Sequence, residues 1–331
     1  MFSKWLPIST VLLYSASAKS LDCAGLFNNS RTLVKGLNPY VAEIHPANVT
    51  FVPVGNVAYP QPVPDLPEFC RFGAEYNTSS TSKFRFEVWL PKSDHWNGEV
   101  YTSVGNGGDA GGINYADMGI PLAKYGFAVA STDTGHNGTA ADGTFAISNP
   151  ESQIDFGHRA VHLSTVFAKA ISKSYYGKKS DYNYWIGCSS GGKQGVKSAQ
   201  AYPEDFDGVI AGAPAQWWPH LNGFTTHVNL LNAKATTPGA VIPPSFFATL
   251  NQEVVAQCDK LDGVADGIIT NVLNRTSVQT LQINETELQR LTAIADATDP
   301  GQTNAIDPNL KPFFKRGGKL VQYHGFADPL I

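Results

Sequence analysis

Trp185-Ile186-Gly187-Cys188-Ser189-Ser190-Gly191-Gly192-Lys193-Gln194 is the stretch whose reading decides the fold. The aromatic and β-branched run Tyr182 to Ile186 predicts a strand, and Lys193 to Tyr202 is compatible with a helix. Between them lies G-x-S-x-G with Ser189 at its centre, the pattern of a nucleophile elbow, a tight strand-to-helix turn that pushes one serine oxygen into the open. Glycines flank the serine because such a turn brings backbone too close for a Cβ. The amide of Ser190, at the helix start, then faces the space above Ser189 and can stabilise negative charge there. The alternative is a Gly/Ser loop without chemistry; the strand before it and the helix after it favour the elbow.

Working outward, Phe84 to Leu90 alternates as a strand and Glu99 to Val104 predicts another. The latter runs into Gly105-Asn106-Gly107-Gly108-Asp109-Ala110-Gly111-Gly112. This loop has no G-K-[ST] ending and no G-x-G-x-x-G register, which argues against a phosphate cradle. With a serine elbow downstream it reads as the donor of a second oxyanion amide, from Gly107 or Gly108, against the alternative of a plain flexible loop. Phe127 to Thr132 is a further strand leading to Asp133 and His136, which either border a pocket or close a turn by their own hydrogen bonds. Ile154 to Tyr175 predicts an amphipathic helix through Phe156, Ala160, Leu163, Phe167 and Ile171. His158 and His162 on it lack a third metal ligand and read as hydrogen-bonded helix-face side chains. After the elbow, Gly208 to Ala213 is a buried strand. This alternation predicts an α/β fold, a mostly parallel sheet with helices on both faces and its ligand site off the carboxyl ends of the strands.

From Gln216 to about Pro312 the strand rhythm stops and aromatics cluster, as expected of a lid inserted over the active edge. Inside it, Asp259, Asp262 and Asp266 with two glycines can wrap a hard cation, the carbonyls of Val264 and Ile268 completing the shell. The spacing is not that of an EF-hand, and a pair of Asp-Gly turns is the alternative. Lys319 to Tyr323 is the last strand, followed by His324-Gly325-Phe326-Ala327-Asp328-Pro329. Asp328 occupies the place of a triad acid in such a fold; otherwise it is an Asp-Pro turn.

Composition bounds the partners. The chain has 331 residues, 42% hydrophobic and 16% charged, with a formal charge of −4. Without residues 1–18, whose only charge is Lys4, 23 basic residues face 28 acidic ones, or −5, which gives no footprint for nucleic acid. Met1 to Ala18 has the layout of a secretory signal: Lys4, an apolar Leu6 to Tyr14, and Ala16-Ser17-Ala18. No apolar run is long enough to span a bilayer. Six sequons, at Asn28, Asn48, Asn77, Asn137, Asn274 and Asn284, fit a secreted glycoprotein. Of the four cysteines, Cys23 and Cys70 form the natural N-terminal pair, closing a segment with little helical periodicity; Cys188 and Cys258 pair with each other or lack partners. Residues 22–75 are expected to be irregular and short extended structure. The expected organisation is a signal at 1–18, a core at 19–215, a lid at 216–312 and a return to the core at 313–331.

With the elbow, the Asp-rich loop and the His-Gly-x-x-Asp stretch in view, the chain resembles the tannase and feruloyl esterase family, secreted α/β-hydrolases with a lid that cleave esters of aromatic acids. The most specific match is G-C-S-x-G-G at Gly187 to Gly192. The resemblance implies Ser189 as nucleophile, Asp328 as acid, and calcium bound by Asp259, Asp262 and Asp266 with the carbonyls of Val264 and Ile268. It also implies a small aromatic ester as substrate, free or attached to plant cell-wall polysaccharide or tannin. The family's catalytic histidine lies beyond the acid, beside a cysteine that bonds the one preceding the serine. Neither follows Asp328 here, and Thr270 to Ser277 lacks a family-type cysteine after the calcium loop. The expectation is therefore a truncated, nearly inactive chain, with His136 the first substitute base. A serine peptidase of the same fold and a non-catalytic calcium-binding glycoprotein remain the alternatives.

Overall fold

A computed structural model describes residues 20–233, 243–258, 285–325 and 328. The segment at 22–75, expected to be irregular and short extended structure, holds a helix and two strands longer than expected. Helix α1 (Cys23–Leu33) is capped by the Asp22 side chain, which accepts from the Gly25 amide at 2.7 Å. Two long strands follow, β1 (Asn38–His45) and β2 (Phe69–Asn77), and pair antiparallel with each other. A disulfide between Cys23 and Cys70 ties the helix start to β2.

The chain continues through β3 (Lys83–Pro91), β4 (Val100–Val104), α2 (Tyr115–Tyr125) and β5 (Ala128–Thr132). The long helix expected from Ile154 is broken. A short α3 (Pro150–Ile154) passes through a π-helical turn over Asp155–Arg159 before α4 (Ala160–Tyr176). Two contacts accompany the break. The buried Asp155 carboxylate accepts from Thr78 and Ser82 at 2.5 and 2.6 Å, and Gly157 packs on Gly301, where a Cβ would fall 2.1 Å from a carbonyl oxygen. Then come β6 (Tyr182–Cys188), α5 (Ser190–Ala201) and β7 (Gly208–Gly212).

The strands form one eight-stranded sheet in the order β1-β2-β3-β5-β4-β6-β7-β8, with β8 at Lys319–Tyr323. The run β5-β4-β6-β7-β8 is parallel, as the strand and helix alternation predicts, whereas β1, β2, β3 and β5 pair antiparallel. The sheet is thus mixed, because the overlooked N-terminal strands add an antiparallel wing. Each face has its own core. Helices α1, α4 and α5 pack Leu26, Phe167, Ile171 and Val196 against Phe86, Trp185 and Val209. On the other face α2 packs Met118 and Leu122 with Phe69, Trp89 and Val129.

No described strand interrupts the chain between β7 and β8. This part contains α6 (Trp218–Ala233), α7 (Phe247–Cys258), α8 (Glu285–Thr298) and α9 (Lys311–Lys315), and α6 packs against α8. Among the described residues no helix is long and apolar enough to cross a membrane.

Candidate active site

Ser189 is the single residue between β6 and α5, and its backbone is at φ 60° and ψ −122°. A non-glycine residue there is strained, and it persists only where surrounding structure holds it. Three backbone hydrogen bonds do so: its amide donates to Gly212 O at 2.9 Å, and its carbonyl accepts from Lys193 N at 3.0 Å and Ala215 N at 3.2 Å. Glycine is required around it. A Cβ on Gly187 would fall 2.5 Å from the Gly191 carbonyl oxygen, and one on Gly105 would fall 2.5 Å from Gly191 Cα. The elbow and the glycine loop therefore touch, backbone to backbone. Ser189 is half-buried, and Ser190 leads α5, where the first amides have no intrahelical acceptor.

The glycine loop is stitched to the elbow helix. Gly105 N donates to Ile186 O, Asn106 N donates to the Gln194 side chain at 3.1 Å, and the Asn106 side chain donates to Gly112 O and Thr132 O. The two oxyanion candidates differ. The Gly107 amide donates to the Tyr59 hydroxyl at 2.8 Å, whereas the Gly108 amide, at φ 55°, has no hydrogen bond among the described residues. Tyr59 is a site residue that sequence reasoning missed. It lies in a proline-rich run with no periodicity, so nothing local marks it. It reaches the site because the loop is pinned there: Tyr59 N donates to Asn56 Oδ1, and Asn56 Nδ2 donates to Ile113 O.

Asp328 follows the carboxyl end of β8, two strands from the elbow strand, so it shares the sheet edge with Ser189. Its amide donates to Gly325 O at 3.1 Å, and its Oδ2 is 3.8 Å from His324 Nε2. At the same edge is a 250 Å³ cleft lined by Pro214, Gln216, Gln322, Tyr323 and His324. No hydrogen bond to the Ser189 hydroxyl occurs among the described residues.

Of the two residues expected to border a pocket, Asp133 is spent on a turn: its carboxylate accepts from the amides of Arg85 and Gly135 at 2.8 and 2.9 Å. His136 stacks flat on Phe145 at 3.8 Å, and its Nδ1 accepts from Gly138 N, leaving a buried Nε2 without a partner. Burial pushes its pKa down to about 4, so the ring is neutral at pH 7. His158 and His162 are hydrogen-bonded, to the Tyr202 hydroxyl and the Asp205 carboxylate at 2.7 Å each. Cys188 is a free, exposed thiol. The expected calcium ligands Asp259, Asp262, Val264, Asp266 and Ile268 lie outside the described residues, and so does the side chain of Cys258.

Residues 70–284 match the sequence model of the family described as tannase and feruloyl esterase. Over 97% of its length the chain is 31% identical to a probable feruloyl esterase B-1 of Neosartorya fischeri, covering 76% of that protein. This chain belongs to the tannase and feruloyl esterase family. Its fold is similar to the crystal structure of feruloyl esterase B from Aspergillus oryzae, with a TM-score of 0.79 and 28% identity over 93% of this chain and 76% of that one. Tannin acyl hydrolase from Aspergillus niger shares the fold at a TM-score of 0.65 and 20% identity, over 93% of this chain and 75% of that one. The protein is accordingly a carboxylic ester hydrolase that acts on small-molecule esters, and the peptidase alternative draws no support from these relatives.

Proposed function

We propose that this protein cleaves esters of plant phenolic acids through an acyl-enzyme on Ser189. The observation that carries the reading is the strained Ser189 backbone at the head of α5, sharing one sheet edge with the glycine loop and Asp328. Attack by the serine oxygen on the ester carbonyl forms the new C–O bond, and the oxyanion faces the amides of Ser190 and Gly108. Gly107 joins them once the Tyr59 hydroxyl gives up its amide. The alcohol leaves, and water releases the acid from the serine. Asp328 would orient an imidazole that takes the serine proton and returns it to the leaving alcohol.

No described imidazole hydrogen-bonds to Ser189, and this favours a second reading in which the chain as given turns over slowly. Loss of one triad member lowers rate about 10⁴-fold or more. The proposal includes secretion, directed by residues 1–18, and a substrate attached to plant cell-wall polysaccharide or tannin. It also includes calcium at Asp259, Asp262 and Asp266, three carboxylates of the hard-oxygen type that this ion takes.

Hydrolysis of methyl ferulate and methyl gallate by purified residues 19–331 tests the reading, with Ser189→Ala as control and imidazole added as an external base. Ester cleavage that needs Ser189 and rises with imidazole supports it and locates the deficit in the base. Fast cleavage without imidazole would show that a histidine of this chain already serves, with His136 and His324 the ones to replace. Cleavage unaffected by Ser189→Ala contradicts it.

A further inference from the structure

Polar groups without a full set of partners gather around the elbow and the glycine loop, and they differ in whether a ligand can reach them. The Ser190 hydroxyl and the Lys193 amine are fully buried and unpartnered, the amine lying 3.9 and 4.6 Å from the centres of the Trp218 and Phe156 rings. The His136 Nε2 is also buried without a partner. These groups are sealed from the cleft. The Tyr59 phenol is different. It is half-buried, and its oxygen accepts from Gly107 N at 2.8 Å, yet its own O–H has no acceptor among the described residues.

Two asparagines hold this phenol in place. Tyr59 N donates to Asn56 Oδ1 at 3.0 Å, and Asn56 Nδ2 donates to Ile113 O at 2.7 Å. Asn137 ties the same run, donating to Gly55 O at 2.8 Å and accepting from Val57 N at 3.4 Å. A Cβ on Gly112 would fall 2.5 Å from Asn56 Oδ1, so nothing lies between this run and the glycine loop. The loop in turn touches the elbow: a Cβ on Gly191 would fall 3.1 Å from the carbonyl oxygen of Asn106, the residue before Gly107. Direct contacts therefore lead from Tyr59 through Gly107 to the second residue after Ser189. Packing alone does not call for the hydroxyl, since phenylalanine would fill the same seat and Gly107, only half-buried, would turn its amide to water.

We propose that Tyr59 is a further catalytic residue for ester hydrolysis, giving a hydrogen bond from its phenol to the oxyanion formed at Ser189. Its role rests on the nucleophile reading above. At rest the phenol caps the Gly107 amide. As negative charge builds on the ester oxygen, the Gly107 N–H turns to that oxygen, and the phenol directs its own O–H to the same atom. The phenol keeps its proton throughout. Burial raises its pKa above the ordinary value; the Gly107 amide works against that rise and Asp117 adds to it, so the group is a donor at neutral pH. A tyrosine hydroxyl held in a site that excludes water is a competent oxyanion donor. Because its resting partner is Gly107, its bond to the substrate forms only as charge develops, which acts on kcat rather than KM.

Steady-state hydrolysis of methyl ferulate by the purified protein, with imidazole added, tests this first. Tyr59→Phe keeps the ring in its seat and should lower kcat about 100-fold while KM changes less than about threefold. An unchanged kcat, or a loss confined to KM, overturns the proposal. So does a raised kcat, which would make the phenol a plug on the Gly107 amide. Binding to Ser189→Ala gives a second measurement that needs no turnover. Ferulate carries negative charge where the oxyanion would stand, and coniferyl alcohol has the same ring without that charge. Adding Tyr59→Phe to Ser189→Ala should weaken ferulate binding about tenfold and leave coniferyl alcohol unaffected. Unchanged ferulate binding, or an equal loss for both ligands, overturns the proposal. Failure of the nucleophile reading looks different: cleavage that survives Ser189→Ala removes the nucleophile, whereas cleavage that needs Ser189 but not the Tyr59 hydroxyl removes Tyr59 alone.

Discussion

Two charged side chains are buried equally deeply in this protein and are treated in opposite ways. Glu87, in the middle of β3, is 1% exposed at its side chain and is saturated with donors: Arg71 in a two-pronged pair at 2.7 and 2.8 Å, the hydroxyls of Tyr40 and Tyr115, and the Trp89 indole. Lys193 is as deep and has none. The first charge ties β2 to β3, three strands from the elbow strand. The second lies in the helix that the candidate nucleophile heads. A buried charge whose every lone pair is met serves the fold, whereas one left to aromatic faces is a cost the fold alone does not require.

The contrast can be broken experimentally, and the largest effect is expected on the saturated side. Arg71→Met leaves the Glu87 carboxylate buried without its cation and should cost about 3 kcal/mol or more in urea unfolding. Lys193→Met should move stability the other way at pH 6, by about 1 kcal/mol or more. Its pH dependence sharpens the point. The folded-state pKa of Lys193 is depressed by burial to about 7 from its ordinary value of 10.5. Between these limits the unfolded chain holds a proton that the folded chain lacks, so wild-type stability rises with pH, by at most about 1.4 kcal/mol per unit. The wild-type minus Lys193→Met difference should therefore rise from pH 7 to pH 10.5, from negative at pH 6 to positive at the upper end, and a difference flat in pH would refute the depressed pKa. A smaller effect is expected at the elbow: Ser189→Gly relieves the positive φ and should stabilise by about 1 kcal/mol while removing the proposed nucleophile.

The parts legible in the sequence were those whose signal is local. The elbow follows from a strand, two glycine positions and a helix start within a dozen residues, and the parallel strands β4 to β8 follow from short apolar runs. The antiparallel wing was not legible. The outer strand β1 is only half-buried along its length, so its pattern never alternates cleanly, and its partner β2 lies across a proline-rich loop. Helix α1 was hidden for another reason: a short helix with one cap gains its stability from packing on the sheet, which its own sequence does not show. The candidate site was legible in the same measure. Ser189, Ser190 and the glycine loop were named from motifs. Tyr59 and Lys193 were not, because a tyrosine beside a proline and a lysine in a helix are ordinary until the fold brings Gly107 to one, and Phe156 and Trp218 to the other.

The central claim is that an acyl group is transferred to Ser189. Intact-mass analysis after exposure to an activated ferulate ester, followed by peptide mapping, tests it most directly. The account predicts one feruloyl group on the peptide containing Ser189 and no adduct in Ser189→Ala. An adduct on another residue, or the same adduct in Ser189→Ala, would contradict it.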